Sequence, residues 1–477
     1  MKAAENGVHV LMFPYPAQGH FIPLLDLTHQ LVIRNVTATI LVTPENLPIL
    51  NPLLSRHPSI RTLVLPFPTH PSIPSGIENV QSLPPDGFRT MIPTLGELHN
   101  TIFEWFRNHA SPPVAIISDM FLGWTQHLAC RLGIRRIMFS PCGAMGVSVI
   151  YSLWRELPKR DDPNDENESV AFPKIPTSPV FPWWQLSPVY RSYVEGDPVS
   201  EFIKDGFHAN MASWGLILNS FNEMERVYLD HLMAELGHDR VWAVGPLLPD
   251  GDDLSKVTER GGPTSASASE IFSWLDKCED QSVLYVSFGS QSVLRNDQME
   301  ELALALEKSG CKFIWAAKEA TKGHEEGAYG RIPPGFVGRV VGRGLILRGW
   351  VPQVPILSHR AVGASLNHCG WNSLLEGLVK GVPALAWPMG ADNYTNATLM
   401  VDQLRVAIRG CEGAETVPNG DELARLVRAL LSDGKETETR ARVMELSEQA
   451  SGATKQGGTS YSNLDELVQQ LQNLPAQ

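Results

Sequence analysis

Cysteine is scarce in this chain of 477 residues, and no two of its six cysteines are spaced as a CxxC pair. Zinc ribbons and thioredoxin-like redox sites depend on such pairs, and a disulfide framework needs a denser set of cysteines. The sequence therefore predicts neither a structural metal site nor a disulfide-stabilised fold. We expect the thiols to be buried and reduced.

Positive charge is also in short supply. Lys and Arg number 39 against 52 Asp and Glu, which gives a formal net charge of −13, and the chain has no run rich in Lys and Arg. Proteins that bind DNA or RNA neutralise phosphates with clustered basic residues. Nucleic acid is therefore not an expected partner.

Long apolar runs are missing as well. The apolar run near the N-terminus, VHVLMF, has six residues before a proline, which is too short for a secretory signal, and no later run reaches membrane-spanning length. The sequence predicts a cytoplasmic protein without stable membrane insertion, and we expect it to be a monomer.

The signatures of bound cofactors are absent too. The chain has no GxGxxG motif and no P-loop, so it lacks the usual nicotinamide and ATP sites. Two acidic clusters, DDPNDENE at 161–168 and DGDD at 250–253, lack the glycine and the closing glutamate of a calcium loop. Their polar surroundings favour solvated loops. We therefore expect no cofactor and no metal ion.

The sequence does contain a regular alternation of strands and helices. In the first half, helical segments such as PLLDLTHQLVIRN separate strand-like runs: VHVLMF, TATILVT, TLVLPF, VAIIS, IRRIMF and WGLILNS. Strands without alternating polarity are covered on both faces. The pattern therefore predicts an α/β fold with a parallel sheet between helices.

A polar segment interrupts this alternation at residues 250–269, which are rich in Gly, Ser and Asp. Strand-like runs then resume with SVLYVSF, CKFIWAA, GLILR, VGASLN and VPALAWP. We predict two α/β domains, residues 1–249 and 270–455, joined by a linker at 250–269, with a cleft between them as the ligand site. A C-terminal helix at 456–477 is expected to pack back on the first domain.

The segment FPYPAQGH contains the first candidate catalytic residue. Pro14 and Pro16 cannot continue a central strand, and Gly19 permits a tight bend, so we expect His20 at a strand-to-helix corner. Asp119 ends the strand VAIIS and could bond one imidazole nitrogen, leaving the other as a general base. Alternatively, His20 is structural and Asp119 caps the helix FLGWTQHLAC.

The segment at 350–393, WVPQVPILSHRAVGASLNHCGWNSLLEGLVKGVPALAWPMGADN, carries the strongest signal. The strand VGASLN leads into a helix, so amides around Gly370 to Ser373 lie at a helix N-terminus, which suits a diphosphate. His368 could bond a phosphate oxygen, Glu376 could accept both ribose hydroxyls, and Trp350 offers a flat face for a base. The alternative is a Trp-rich helix cap in the core.

This segment resembles the 44-residue signature of plant secondary-product UDP-glycosyltransferases, family 1, which opens on W-x-P-Q, contains H-C-G-W-N-S and closes on D-Q. The resemblance extends along the chain through FPYPAQGH, SDMFLGWT, NSFNEME, VWAVGP and VSFGS. The most similar branch acts on flavonols and small phenolic acids and contains glucosyl- and 7-O-rhamnosyltransferases.

The resemblance implies the GT-B fold, two facing Rossmann-like domains with an acceptor in the first and a UDP-sugar, a co-substrate, in the second. It implies inverting, metal-independent transfer in which His20, oriented by Asp119, takes the proton of the acceptor hydroxyl. At the acceptor we expect Phe13, Gly19, Phe121, Cys142 and Trp184. At the donor the implied residues are Trp350, Val351, Gln353 and Glu376 for the nucleoside, Ser290, His368, Gly370, Asn372 and Ser373 for the phosphates, and Trp371, Asp392 and Asn393 for the sugar.

The chain departs from the signature at its end, which reads Asp392-Asn393 instead of Asp-Gln. Asn retracts the amide by one methylene, which would lengthen a hydrogen bond fitted to glucose. In the family, Asn or His at this position appears among rhamnosyl- and pentosyltransferases. The resemblance therefore favours UDP-rhamnose and a flavonol 7-hydroxyl. Glucosyl transfer from UDP-glucose to a flavonoid or hydroxybenzoate and xylosyl transfer from UDP-xylose stay open, as does the alternative that Asn393 caps the helix YTNATLMVDQL.

Two other classes of function are also open. A sugar-nucleotide binding protein would retain residues 350–393 but would not need His20 and Asp119. A UDP-sugar epimerase would need carboxylates near the donor and not the aromatic segment FPWWQLSP at 181–188.

Overall fold

The computed structural model describes residues 7–83, 87–249, 267–320, 327–433 and 438–475. The chain divides into two compact units. The first comprises Met1–Trp184, Pro188–Leu248 and Gly452–Gln477, and the second comprises Gln185–Ser187 and Pro249–Ser451. Of the predicted linker, residues 250–266 lie outside the described residues, and its end from Ala268 onward already belongs to a helix.

The first unit contains a seven-stranded parallel sheet and a two-stranded antiparallel hairpin. Its strands are β1 (His9–Phe13), β2 (Thr37–Val42), β3 (Arg61–Val64), β4 (Ala115–Asp119), β5 (Arg135–Ser140), β6 (Ser169–Ala171), β7 (Val180–Pro182), β8 (Gly215–Leu218) and β9 (Val241–Ala243). The sheet order is β3-β2-β1-β4-β5-β8-β9, and β6 pairs with β7.

The helices of the first unit are α1 (Gln18–Val32), α2 (Asn51–Arg56), α3 (Gly87–Gly96), α4 (His99–Asn108), α5 (Thr125–Leu132), α6 (Ala144–Glu156), α7 (Pro188–Arg191), α8 (Pro198–Met211), α9 (Asn222–Leu236) and, at the end of the chain, α18 (Thr459–Gln472). β1 and β4 are buried along their whole length, as strands covered on both faces must be. Four residues of α18, Leu464, Leu467, Val468 and Leu471, belong to the same apolar core as β1, β2 and α1.

The second unit contains a six-stranded parallel sheet of order β12-β11-β10-β13-β14-β15. The strands are β10 (Val283–Ser287), β11 (Lys312–Ala317), β12 (Gly344–Arg348), β13 (Val362–Asn367), β14 (Ala384–Ala386) and β15 (Ala407–Arg409). The helices are α10 (Ala268–Leu275), α11 (Asn296–Ser309), α12 (Phe336–Arg339), α13 (Gln353–Leu357), α14 (Trp371–Val379), α15 (Asn393–Ala397), α16 (Gly420–Arg428) and α17 (Glu438–Thr454). Two apolar clusters cover the two faces of the sheet.

The structure confirms the predicted strands of both halves and their parallel pairing. Two predictions about local structure are wrong. Helix α1 begins at Gln18, not near Pro23. Gly19 is therefore an ordinary helical residue, and the turn lies between Phe13 and Gln18.

None of the helices within the described ranges combines the length and apolar character that crossing a bilayer requires.

Candidate active site

His20 and Asp119 lie together at the carboxyl edge of the first sheet. β1 and β4 are parallel neighbours, with Phe13 opposite Ser118, so the segments that follow them emerge side by side. His20 is in the first turn of α1, and its Nδ1 lies 2.8 Å from Oδ2 of Asp119. The carboxylate is fully buried, whereas 15% of the imidazole side chain is exposed.

Asp119 bonds His20 and also caps a short turn, but it does not cap the helix of FLGWTQHLAC, since α5 begins at Thr125 with Trp124 as its N-cap. Its second oxygen, Oδ1, accepts a hydrogen bond of 2.9 Å from the amide of Phe121, which caps the 3₁₀ turn Met120–Leu122. A neutral imidazole that donates from Nδ1 to a carboxylate carries its lone pair on Nε2. The arrangement therefore gives His20 the geometry of a general base.

Arg136 holds the backbone of Asp119 through a hydrogen bond to its carbonyl, and the sequence did not predict this role. This buried guanidinium on β5 donates to the carbonyl of Asp119 at 3.0 Å and to Oγ of Ser118 at 2.9 Å. It also donates to Oδ1 of Asn210 at 2.7 Å, and the amide of Asn210 donates to the carbonyl of Met120 at 2.7 Å. Burial lowers the pKa of Arg136 to about 10, so it stays a cation at neutral pH.

Three aromatic rings surround the imidazole of His20. The ring centroids of Tyr15, Phe88 and Phe121 lie 5.7, 6.2 and 5.0 Å from it. Tyr15 is fully buried and donates to the carbonyl of Phe88 at 3.1 Å, and burial raises the pKa of its phenol well above 10, so the phenol stays neutral. The wall suits a flat apolar ligand whose hydroxyl reaches His20. Only Phe121 was predicted here, although Tyr15 lies inside FPYPAQGH.

The other predicted acceptor residues divide into two groups. Phe13 ends β1, Gly19 adjoins His20 in α1, and Cys142 follows β5 with 8% of its surface exposed, so all three lie at the edge that holds the dyad. Trp184 does not follow a strand of the seven-stranded sheet. It lies in the 3₁₀ turn Trp183–Gln185, directly after the hairpin strand β7.

In the second unit, the junction of β13 and α14 has the predicted strand–loop–helix geometry. β13 ends at Asn367 and α14 begins at Trp371, with Gly370 as the N-cap. The first amides of a helix have no intrahelical acceptor, and a glycine cap supplies no side chain to them, so this end favours an anion. Trp371, Asn372 and Ser373 all lie in this first turn. The side chain of Trp371 is buried, with 4% of the residue exposed.

His368 lies between two glycines at this junction. A Cβ at Gly289 would come within 2.5 Å of the imidazole and one at Gly370 within 2.4 Å, so only glycine permits the close approach. Nδ1 of His368 is buried and has no hydrogen-bond partner within the described ranges. Burial lowers the pKa of His368 to about 4, so the ring is neutral at neutral pH. A ligand would satisfy this nitrogen, which would otherwise be costly to bury.

Ser290 reaches the same junction from β10. β10 and β13 are parallel neighbours, with Ser287 opposite Asn367, so the loop that contains Gly289 and Ser290 lies beside His368. The structure therefore brings together the predicted phosphate residues of two strands.

Gln353 and Glu376, both predicted to bind the ribose, form one hydrogen-bonded group. Nε2 of Gln353 donates to Oε2 of Glu376 at 2.6 Å and to Oγ of Ser373 at 3.1 Å. Its Oε1 accepts from the hydroxyl of Tyr285 at 3.1 Å. Glu376 is 5% exposed, so these bonds fix the carboxylate before any ligand arrives.

The two residues before Gln353 differ in their environments. Trp350 is half-buried in the loop between β12 and α13. The side chain of Val351 is 7% exposed and belongs to the apolar core with Ile356 and Leu357. The valine side chain is therefore a core residue, and only the backbone of Val351 is suited to contact a ligand.

Asp392 and Asn393 lie at the start of α15. Asp392 is the N-cap residue and Asn393 the first helical residue, so the alternative that Asn393 caps this helix is wrong. Oδ1 of Asn393 accepts from the amide of Gly390 at 3.3 Å, and its Nδ2 donates to Asp392 at 3.4 Å. Asn396 donates to Asp392 at 2.8 Å and to the carbonyl of Cys369 at 3.0 Å, which ties this loop to that of His368.

In the part of the chain that the structure describes, no three His, Cys, Asp or Glu side chains are grouped as a metal site. The residues brought together are instead a dyad with an aromatic wall in the first unit and a helix N-terminus with polar side chains in the second.

Comparison with known proteins agrees with these features. Residues 241–446 match the family model described as UDP-glucoronosyl and UDP-glucosyl transferase. UDP-glycosyltransferase 89B2 of Stevia rebaudiana is 60% identical over 98% of this chain and 98% of its own length. Flavonol 3-O-glucosyltransferase UGT89B1 of Arabidopsis thaliana is 54% identical over 98% of this chain and 96% of its own.

Crystal structures of similar proteins extend this likeness to the fold. Arabidopsis thaliana UGT89C1 complexed with UDP-L-rhamnose is 39% identical and matches with a TM-score of 0.81 over 98% of this chain and 99% of its own. The same protein complexed with quercetin is 38% identical and matches with a TM-score of 0.78 over 98% of this chain and 100% of its own.

Proposed function

This chain belongs to the plant family 1 UDP-glycosyltransferases of GT-B fold, and we propose that it transfers rhamnose from UDP-rhamnose to the 7-hydroxyl of a flavonol with inversion. The observation that carries this proposal is the 2.8 Å bond between His20 and Asp119 beside the wall of Tyr15, Phe88 and Phe121. We propose no metal ion or cofactor in the reaction.

His20 acts on the acceptor in this proposal. Its Nε2 takes the proton of the flavonol hydroxyl while the oxygen attacks the anomeric carbon and the bond from that carbon to the phosphate oxygen breaks. UDP leaves with the electron pair of that bond. The buried carboxylate of Asp119 stabilises the imidazolium that forms, and Arg136 fixes the backbone that presents the carboxylate.

The second unit binds the UDP-sugar in this proposal. Trp350 stacks on the uracil, and Glu376 accepts hydrogen bonds from both ribose hydroxyls. Gln353, which donates to Glu376, lies beside the ribose. The amides at the start of α14, together with Ser290 and His368, stabilise the charge that develops on the departing diphosphate. Asp392 and Asn393 contact the sugar.

The choice of sugar rests on Asn393, whose amide is one methylene shorter than that of the family's Gln. UGT89C1, which has been crystallised with UDP-L-rhamnose, gives this donor a precedent in a similar protein. A second candidate donor is UDP-glucose, because UGT89B1, a flavonol 3-O-glucosyltransferase by name, is 54% identical to this chain. That name also makes the 3-hydroxyl the second candidate position.

A donor panel tests the proposal. The protein is incubated with quercetin and UDP-rhamnose, UDP-glucose or UDP-xylose in turn, and the product is identified by its mass and its linkage position. We expect the fastest transfer from UDP-rhamnose, at the 7-hydroxyl. UDP binding without any product would indicate a binding protein, and conversion of the UDP-sugar without an acceptor would indicate an epimerase.

His20→Ala tests the proposed base. We expect turnover to fall by about 10²–10⁴-fold while the affinity for UDP stays near that of the wild type, because the imidazole acts only on the acceptor. Asp119→Asn should cost less, since it weakens the orientation of the base but leaves the base in place. His20 is not the base if His20→Ala retains more than about a tenth of the wild-type turnover at saturating substrate.

A further inference from the structure

None of the residues predicted for the donor site is a lysine or an arginine. A UDP-sugar brings an anionic diphosphate, yet the residues predicted to bind it are polar, apolar or acidic. His368 does not supply the charge, because burial lowers its pKa to about 4. Charge-assisted hydrogen bonds are about twice as strong as neutral ones, so a cation near the diphosphate would contribute strongly to binding.

Lys318 lies at the correct edge of the second sheet. It follows β11 directly, and β11 is the parallel neighbour of β10, with Ala316 opposite Ser287. Its ammonium donates to the carbonyl of Ser290, a residue that the family resemblance implies at the phosphates. The adjacent Gly289 contacts His368, so Lys318, Ser290 and His368 form a continuous group.

The environment of Lys318 is unusual for a lysine. Lys318 lines a small cavity together with Phe288, Met299 and Trp315, and it is half-buried. Burial lowers the pKa of its ammonium to about 8. Among the described residues no carboxylate pairs with it, whereas the nearby Arg348 pairs with Glu319. A desolvated cation without an anionic partner is destabilising unless a ligand supplies the partner.

We propose that Lys318 is a binding residue for the diphosphate of the UDP-sugar. An ammonium has three N–H donors. One holds the carbonyl of Ser290, and the other two are suited to phosphate oxygens. Lys318 would then also offset the charge on UDP as it departs. This inference rests on the proposed function, because it assigns a further residue to the same donor site.

The alternative is that Lys318 only fastens the loop that contains Ser290. Because Ser290 is itself assigned to the phosphates, a loosened loop would also weaken UDP, so the two roles differ only in whether the positive charge is needed. Lys318→Gln removes the charge and keeps an N–H donor for the carbonyl of Ser290. We therefore compare UDP with uridine by calorimetry on the wild type, Lys318→Met, Lys318→Gln, Lys318→Arg and Lys312→Met. Lys312 is a matched control, because it lies on the same strand at the opposite, amino end.

We expect Lys318→Met to weaken UDP binding by roughly 10- to 100-fold, the range for a lost hydrogen bond to a charged group, and to leave uridine binding within about twofold. Lys318→Gln should weaken UDP about as much as Lys318→Met, Lys318→Arg should retain most of the UDP affinity, and Lys312→Met should match the wild type. Equal weakening of UDP and uridine by Lys318→Met, no weakening of UDP, or a UDP affinity of Lys318→Gln near that of the wild type would overturn the inference. Failure of the wild type itself to bind UDP would instead refute the proposed function.

Discussion

At the scale of single residues, Asn393 is the position at which the choice of sugar can be tested. Its amide makes two hydrogen bonds within its own loop, at 3.3 and 3.4 Å, both at the long end of the normal range. Bonds of this length are weak, so a sugar hydroxyl can replace them at little cost. Asn393→Gln extends the amide by one methylene toward the family's usual residue.

We expect Asn393→Gln to raise the rate with UDP-glucose relative to UDP-rhamnose by several-fold, because one hydrogen bond contributes about 0.5–1.5 kcal/mol. Both donors are measured on the wild type and the variant, together with the melting temperature. Asn419→Gln is the matched control, since Asn419 caps α16 through the amide of Glu422 at 3.0 Å. The control should lose stability and leave the donor ratio unchanged. The same result for Asn393→Gln would contradict its assignment to the sugar.

Motifs in the sequence predicted the polar side chains of the site better than its supports. His20 follows one predicted strand and Asp119 ends another, and the carboxyl ends of parallel strands lie at one edge of the sheet. Gln353 and Glu376 belong to one signature. Arg136 and Lys318 have no such motif. Arg136 bonds the carbonyl of Asp119, and Lys318 bonds the carbonyl of Ser290. Both contacts depend on which strands are neighbours in the sheet, and no local pattern in the sequence encodes that. A charged residue inside the apolar run IRRIMF was the one available signal for Arg136.

At the scale of elements, the long strands could be predicted because buried parallel strands are apolar on both faces. β9 and β15 were missed because each has only three residues and no long apolar run around it, whereas β14, equally short, lies in the apolar run VPALAWP. The start of α1 was misplaced because Pro23 looks like a helix start, yet it lies inside the helix. Helix starts are often recognised in a sequence by a capping side chain. The N-cap residue of α1 is Ala17, which has no such side chain, so no signal in the sequence marks the true start.

Helix α18 provides an element-scale prediction. Leu467 is fully buried in the core of the first unit, so Leu467→Ala should destabilise the protein by about 2–5 kcal/mol through lost burial and the cavity left behind. Gln469→Ala, two residues along the same helix at an exposed position, should change stability by no more than about 0.5 kcal/mol. Urea denaturation of both variants measures this. Equal stability of the two would mean that α18 is not an integral part of the core.

At the scale of the whole molecule, each unit has its own sheet, its own core and a buried neutral histidine. His9 in the first unit is 6% exposed, with Nε2 2.8 Å from Oγ1 of Thr39 and Nδ1 3.0 Å from the carbonyl of Ser111. Burial lowers the pKa of His9 from 6.5 to about 4, and burial has the same effect on His368 in the second unit. Both histidines therefore make folding sensitive to acid.

The direction of this dependence follows from proton binding. Between pH 6.5 and pH 4 the unfolded chain protonates His9 and the folded protein does not, so the free energy of unfolding falls as the pH falls through this range. His57 and His238, whose pKa values burial also lowers, act in the same direction. Buried Glu225 acts in the opposite direction, because burial raises its pKa.

His9→Gln should flatten the acid dependence of stability. Glutamine can retain hydrogen bonds at this position but takes up no proton. The variant should therefore lose roughly 1.5 kcal/mol less than the wild type between pH 6.5 and pH 5, since the limiting slope of 1.36 kcal/mol per pH unit is reached only below pH 6.5. Urea unfolding at both pH values measures the difference. Leu467→Ala serves as the control, because it lowers stability without removing a titratable group, so its free energy of unfolding should fall with pH as that of the wild type does. If His9→Gln also follows the wild type, His9 does not contribute to acid unfolding, and the cause must lie in the other buried histidines or in the carboxylates.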